Sequence, residues 1–448
     1  LDILSLIPSF GSAAFTLVAF VVALSVIVTV HEYGHYIVGR WSGIHSEVFS
    51  LGFGPVLFSR KDSRGTRWQI AALPLGGYVR FLGDSNAASG KDEGTLGEMD
   101  AKTRRNTMHG APLWARSATV AAGPLFNFAL SILVFAMVAL FRGEAVEPPT
   151  VGTLVDLPES RLEQGGLRAG DRILALGSVE TPDYAAFYEA VDALPIGEVP
   201  FYKVEREGET LRVPGPYPFP PLIQTVQPGS AAAQVGLKPG DVILALDGQE
   251  VSAFSQLQAV VAESGGRALE LTVWRAGETL RFDLTPRRVD LPLADGGFEQ
   301  RWLIGMTGGL SFDPATRVPG VLGALGYGVD QLFHIIRSSL SGLYHMVIGT
   351  ISSCNLSGPL GIAESSGAAA SQGVVSFIWF IGMLSTAVGL LNLFPIPVLD
   401  GGHLVFYAYE AVTGRPPSDK ALRMLMGAGL ALILTVMVFA LSNDIFCP

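Results

Sequence analysis

Charge is scarce in this chain. Of its 448 residues, 16% are Asp, Glu, Lys or Arg, while 49% are hydrophobic, and the mean hydropathy is +0.40. Such a balance argues against an ordinary soluble protein and for an integral membrane protein with soluble parts; length alone suggests about three domains. Basic residues are outnumbered, 30 Lys and Arg against 40 Asp and Glu, for a net charge of -10. The basic face that nucleic-acid binding usually needs is therefore missing. The two cysteines, Cys354 and Cys447, are too few for a disulfide framework or a cysteine zinc site. One disulfide between them is open, but two unpaired thiols are the expectation. No Lys or Arg precedes the first apolar run and no small-residue cleavage site closes it, so that run reads as a span rather than a signal peptide.

What the chain does have is long apolar runs. Four segments, about 11–37, 117–141, 374–394 and 424–443, each hold close to the ~20 apolar residues needed to cross a hydrocarbon core. The second carries Gly123-Pro124 and Asn127, tolerated in a span where neighbouring helices satisfy the freed backbone groups. A fifth stretch, 338–363, is long enough but rich in Ser and Gly, with Asn355 and Pro359; residues 325–363 are expected to form an amphipathic or inter-domain segment instead. Basic residues cluster in the connections 40–116 and 395–423 and are absent from both ends. The positive-inside rule then puts those connections in the cytoplasm, with both termini and the long region 143–373 outside.

The outside region contains a repeat. Gly166-Leu167-Arg168-Ala169-Gly170-Asp171 recurs 70 residues later as Gly236-Leu237-Lys238-Pro239-Gly240-Asp241. Short alternating segments such as Leu271-Thr272-Val273-Trp274 surround the copies, which predicts two small α+β domains of one fold, at about 146–215 and 220–288. The connection 44–82 reads as β-rich, with strand-like segments at 47–51, 56–59, 66–72 and 78–82. Gly52 and Gly54 suggest a bend or close backbone approach within it. The fold class is thus a polytopic α-helical membrane protein of four spans. The expected organisation is 1–43 first span, 44–116 β-rich loop region, 117–142 second span, 146–215 and 220–288 paired domains, 289–373 linker and amphipathic segment, and 374–448 the last two spans.

The chemistry sits at the end of the first run. His31-Glu32-Tyr33-Gly34-His35 is an HExxH, which on a helix aligns two imidazoles one turn apart, where they can share one zinc ion. Glu32 would not ligate; it would take a proton from the metal-activated water and return it to the leaving amine. The alternative is that these residues merely end a helix, but ionisable groups in a span are costly and usually functional. A catalytic zinc needs a third protein ligand. Asp400, in Asn392-Leu393-Phe394-Pro395-Ile396-Pro397-Val398-Leu399-Asp400-Gly401-Gly402-His403, is the only carboxylate between Ser366 and Tyr409, and by the four-span count it lies on the side of His31 and His35. His403 is the alternative ligand, and Asp400 could instead cap a short helix.

HExxH in a first span, a GxG hairpin after it, paired repeats and NxxPxPxxDG in the third span together resemble the site-2 protease family of intramembrane zinc metalloproteases, peptidase M50. The resemblance covers nearly the whole chain. It implies a zinc-dependent endopeptidase with one Zn2+ on His31, His35 and Asp400 and Glu32 as acid/base. It implies substrate contacts at Asn392, and at a β-element around Gly52 and Gly54 that holds the substrate as a strand. It implies that the repeats are PDZ-like domains that filter substrates by ectodomain size. The implied partners are the lipid bilayer and single-span membrane proteins such as anti-sigma factors, in the inner membrane of a bacterium. A non-catalytic PDZ-bearing adaptor and a proton or ion transporter are the competing readings.

Overall fold

The computed structural model describes residues 6–84, 99–158, 166–227, 229–292 and 298–447. It divides into two compact units, Leu1–Val138 with Val321–Pro448, and Ala139–Gly320.

The first unit opens with helix α1 (Leu6–Trp41), followed by the antiparallel strands β1 (Ser46–Lys61) and β2 (Arg67–Phe81). The four expected strand segments are present, but as two continuous strands bent on themselves. Residues 77–81 pair with 46–51, residues 48–51 pair also with 67–70, and 67–70 pair with 58–61. The bends need glycine: Gly52 and Gly54 both have φ +85°, and a Cβ on Gly52 would meet the Ala71 carbonyl at 3.1 Å. The turn between the strands is fixed by Asp62, whose Oδ1 accepts from the backbone N–H groups of Arg64 and Thr66. Short helix α2 (Ala101–Arg105) and helix α3 (Leu113–Arg142) follow. Tyr36 of α1, Phe49, Val79 and Phe81 of the hairpin, and Ala115 and Val120 of α3 form one buried cluster that joins the sheet to the two helices.

The second unit holds two sheets of like design. Strands β3 (Glu144–Ala145) and β4 (Val151–Leu154) lead into β5 (Arg172–Leu176), β6 (Val179–Glu180), helix α4 (Tyr184–Asp192), β7 (Phe201–Arg206) and β8 (Glu209–Pro214). The second copy runs β9 (Ile223–Val226), α5 (Ala231–Gln234), β10 (Val242–Leu246), β11 (Gln249–Glu250), α6 (Phe254–Glu263), β12 (Leu269–Arg275) and β13 (Glu278–Leu284). Strand orders match, β6-β5-β7-β8 and β11-β10-β12-β13. The repeated aspartate explains the repeat motif. Asp171 is fully buried; its Oδ2 accepts from the Arg168 backbone N–H, and Arg206 donates to both of its oxygens at 2.6 Å. Asp241 does the same with Lys238 and Arg275. A buried carboxylate needs such partners.

After a hairpin of β14 (Arg287–Pro292) and β15 (Phe298–Leu303), the chain runs back. Strand β16 (Met306–Gly308) pairs with β9, β17 (Phe312–Pro314) pairs with β4, and β18 (Thr316–Arg317) pairs with β3. Ile304 enters the core of the second copy and Phe312 that of the first.

The chain then returns to the first unit as α7 (Val321–Val347), α8 (Pro359–Ser371), α9 (Val374–Asn392), α10 (Asp400–Thr413) and α11 (Asp419–Phe446). Among the described residues four helices are long and apolar enough to cross a membrane: Ala13–Trp41, Leu113–Arg142, Val374–Asn392 and Asp419–Phe446. The fifth stretch is not one of them; it is divided between the end of α7, a loop and α8. Three of the spans run past their expected ends, α11 for instance starting at the Ser418 N-cap with Asp419 and Lys420 in its first turn, while the third stops at Asn392, short of the expected 394.

One sequence expectation is corrected. Cys354 and Cys447 are not free thiols; they form a disulfide, with Cα atoms 5.6 Å apart. Their separation of 93 residues conceals the contact in sequence. The fold creates it by tying residues 353–360 to the end of α11. Asn443 Nδ2 donates to the carbonyls of Ser353 and Leu356, and the Asp444 carboxylate accepts from the N–H groups of Gly358 and Leu360.

Candidate metal centre

Three donor atoms meet where α1, α3 and the start of α10 converge. His31 Nε2 and His35 Nε2 lie 3.1 Å apart, and Asp400 Oδ2 lies 3.2 Å from the first and 3.5 Å from the second. The two imidazoles align because α1 repeats every 3.6 residues. Asp400 arrives there because the chain between α9 and α10 is forced into a tight turn. Pro395 and Pro397 cannot continue a helix. Val398 takes φ +114°, a strained value for a β-branched residue. A Cβ on Gly401 would collide with the Leu393 carbonyl, and one on Gly402 with that of Ile396.

The donor set fits a zinc ion. Tetrahedral ligands with bonds of about 2.0–2.1 Å stand roughly 3.3–3.4 Å from one another, close to the triangle observed. The electrostatics agree. His35 Nδ1 faces the Thr119 carbonyl at 2.8 Å, a group that can only accept, so its proton sits on Nδ1 and the Nε2 lone pair is turned into the triangle. Asp400 Oδ2 is buried and, among the described residues, faces the two imidazole nitrogens. Three electron-pair donors so placed repel one another unless a cation lies between them.

Helix α3 supplies the wall behind the histidines. Gly34 of α1 rests on the Ala122 carbonyl. Gly123 faces the imidazoles so closely that a Cβ there would overlap His35 Nε2 and come within 2.8 Å of His31 Cε1. Asn127, fully buried, places its side-chain amide 3.2 Å from His31 Nδ1. On the open side is a cavity of about 310 Å3, lined by Glu32, Gly77, Tyr78, Val79, Asn392, His403 and Tyr407 among others. Burial pushes the Tyr407 hydroxyl up to about 12, so it stays protonated at neutral pH.

The structure thus brings His31, His35 and Asp400 together, with Glu32 beside them. Asn392, the last residue of α9, also reaches the cavity, although its amide nitrogen is held by the Val388 carbonyl at 3.1 Å. Gly52 and Gly54 lie at the hairpin bend and are not among the lining residues; the hairpin contributes Gly77, Tyr78, Val79 and Phe81 instead. Sequence reasoning gave Thr119, Gly123 and Asn127 no role at the site. The signal was there for the last two, as a glycine and an amide within an otherwise apolar span.

Comparison with known proteins agrees with this geometry. The profile of peptidase family M50 matches residues 19–436. A protein of Agrobacterium fabrum named "Putative zinc metalloprotease" is 36% identical over 437 residues, covering 96% of this chain and 95% of its own length. One of the same name in Rhizobium meliloti is 35% identical, covering 96% of each. The regulator of sigma-E protease RseP of Salmonella typhimurium is 32% identical over 460 residues, covering 97% of this chain and 99% of its own. With the family profile spanning nearly its whole length, and donor atoms of two histidines and an aspartate set at three corners of a metal tetrahedron, the chain belongs to peptidase family M50 and is a zinc metalloprotease.

Proposed function

We propose that this chain is an intramembrane endopeptidase that cuts the membrane segments of single-span proteins, with a membrane-bound anti-sigma factor as the natural class of substrate. The observation that carries it is the His31, His35 and Asp400 triangle, built from the end of one apolar helix and the residues just after another. In this reading those three side chains hold the zinc. A zinc ion held there would supply an acidified water and polarisation of the scissile carbonyl. Glu32 accepts the water's proton and passes it to the leaving amine nitrogen as the C–N bond breaks. Asn392 contacts the substrate backbone from the end of α9.

The substrate must be unwound, because a helix hides its amides. Residues 77–81 form an outer segment of the bent hairpin and line the cavity, which supports docking of an extended chain by strand addition. Gly52 and Gly54 serve that step by shaping the bend. The two repeats are PDZ-like domains that select substrates by the size of their exterior part.

The orientation follows from charge. Connections 40–116 and 395–423, rich in Lys and Arg, face the cytoplasm, with both termini and the repeats outside a bacterial inner membrane. The disulfide supports this. Cys447 lies at the end of α11 away from the metal side, where an oxidising compartment would form and keep the bond.

The test is a reconstituted cleavage assay on a tagged single-span substrate. Glu32→Gln should keep zinc and lose cleavage; cleavage at the wild-type rate by that variant refutes the mechanism. Asp400→Ala should lose zinc, and full occupancy would remove Asp400 from the ligand set.

A further inference from the structure

We infer that Asn127 is a positioning residue for the metal centre: its side-chain amide orients the His31 ring, and its backbone carbonyl ties that ring's setting to α9. The inference rests on the proposed reading of His31 as a ligand.

The observations are geometric. Asn127 lies one turn beyond Pro124 in α3 and is fully buried. Its side-chain nitrogen stands 3.2 Å from His31 Nδ1, while its Oδ1 is buried without a hydrogen-bond partner. Its backbone carbonyl accepts two hydroxyls, from Ser131 at 2.9 Å and from Ser385 of α9 at 3.0 Å. Ser131 also reaches the Gly382 carbonyl of α9 at 2.8 Å, and Asn127, Ser131 and Ser385 all have zero exposure. One residue thus touches the helix that carries two ligand histidines and the helix that leads into Asp400.

The chemistry assigns the amide's direction. A histidine that gives its Nε2 electron pair to a metal carries its proton on Nδ1 and needs an acceptor there. For His35 that acceptor is the Thr119 carbonyl. For His31, the neighbour at Nδ1 among the described residues is the Asn127 amide, whose oxygen and nitrogen are interchangeable in shape. With nitrogen toward Nδ1, a metal-ligating His31 would set N–H against N–H. With the amide turned over, Oδ1 accepts from His31 Nδ1. In either setting one amide atom is left without a protein partner, so His31 decides. Outer partners of this kind fix the ligand ring and raise its basicity, and losing one typically costs about 10–100-fold in metal affinity.

The test uses the full chain in detergent, loaded with zinc or cobalt(II). Zinc affinity is measured by competition with a chelator, and the cobalt absorption bands report ligand geometry. Asn127→Leu and Asn127→Ala remove the acceptor but keep the backbone carbonyl and its two serine bonds; each should weaken zinc at least 10-fold and shift the cobalt bands. Asn127→Asp keeps an acceptor and should hold zinc within a few-fold of wild type. Two acceptor-free variants guard against one failing to fold, which thermal melting of the metal-free proteins reports. Unchanged affinity in the Leu and Ala variants overturns the inference, as does an equal loss in Leu, Ala and Asp. A wild-type chain that binds no zinc at all instead sinks the ligand reading beneath it.

Discussion

Arg116 and Glu410 are joined by two parallel hydrogen bonds, Nη1 to Oε2 at 3.0 Å and Nη2 to Oε1 at 2.6 Å, across 294 residues of sequence. The Arg116 guanidinium also lies over the Tyr407 ring, 5.1 Å from its centre. The pair clamps α10 to the start of α3. Asp400 is the first residue of α10, so the clamp fixes one metal donor relative to the wall behind the other two. Both side chains are largely buried, and removing one partner leaves the other charge stranded, at a cost of about 3 kcal/mol. Arg116→Ala should lower the melting temperature and weaken zinc together. Arg116→Lys keeps the charge but not the fork, and should restore only part of each. A melting curve and a chelator titration on the same samples check both.

Gly123 leaves room where a methyl group would overlap His35 Nε2. Gly123→Ala should therefore abolish zinc binding while leaving the helix intact, since alanine favours helix by about 1 kcal/mol over glycine. Metal analysis with circular dichroism separates the two effects. A Gly123→Ala protein with full zinc content would show that the histidines do not sit as described.

Removing the metal should loosen the unit that holds it. A ligand bound only by the folded state adds about 2.7 kcal/mol when present at 100 times its Kd. Chelation should lower the melting temperature of the wild-type chain and added zinc should restore it. His31→Ala and Asp400→Ala should show no response to either treatment, which a thermal-shift series reads directly.

The Cys354–Cys447 bond closes a loop of 93 residues. On chain entropy alone such a closure adds up to about 4–5 kcal/mol. The paired replacement Cys354→Ser with Cys447→Ser should lower thermal stability, and reductant should do the same to wild type but nothing to the variant. Equal melting with and without reductant in wild type would place the cysteines apart.

Asp171 and Arg206 predict a local effect. Arg206→Ala strands a fully buried carboxylate in the first repeat, a loss of about 3–5 kcal/mol. Hydrogen exchange should rise across β5 and β7, while the second repeat, with its own Asp241 and Arg275 pair, keeps its protection.

Much of this was legible from spacing. HExxH in a span yields two aligned imidazoles by helix geometry alone, and a lone carboxylate at a proline break identified Asp400. The spans were legible because lipid imposes one length and one polarity on them. What escaped has a common cause. Thr119 acts through its backbone carbonyl, which no residue type reveals. Gly123 and Asn127 looked like tolerated blemishes until their distance to His31 and His35 was known. The disulfide depended on a contact across 93 residues, and the hairpin's bent pairing depended on where two strands curl. The cavity residues Gly77 and Tyr78 follow from that curl, not from any motif.

The return run through β16, β17 and β18 has a consequence for the order of events during biosynthesis. The amino-terminal repeat emerges first but waits for Phe312 to fill its interior and for β17 to cover β4, so it is finished after the repeat that emerges second. A chain halted between these two events would present one closed module and one whose β4 still lacks its partner strand.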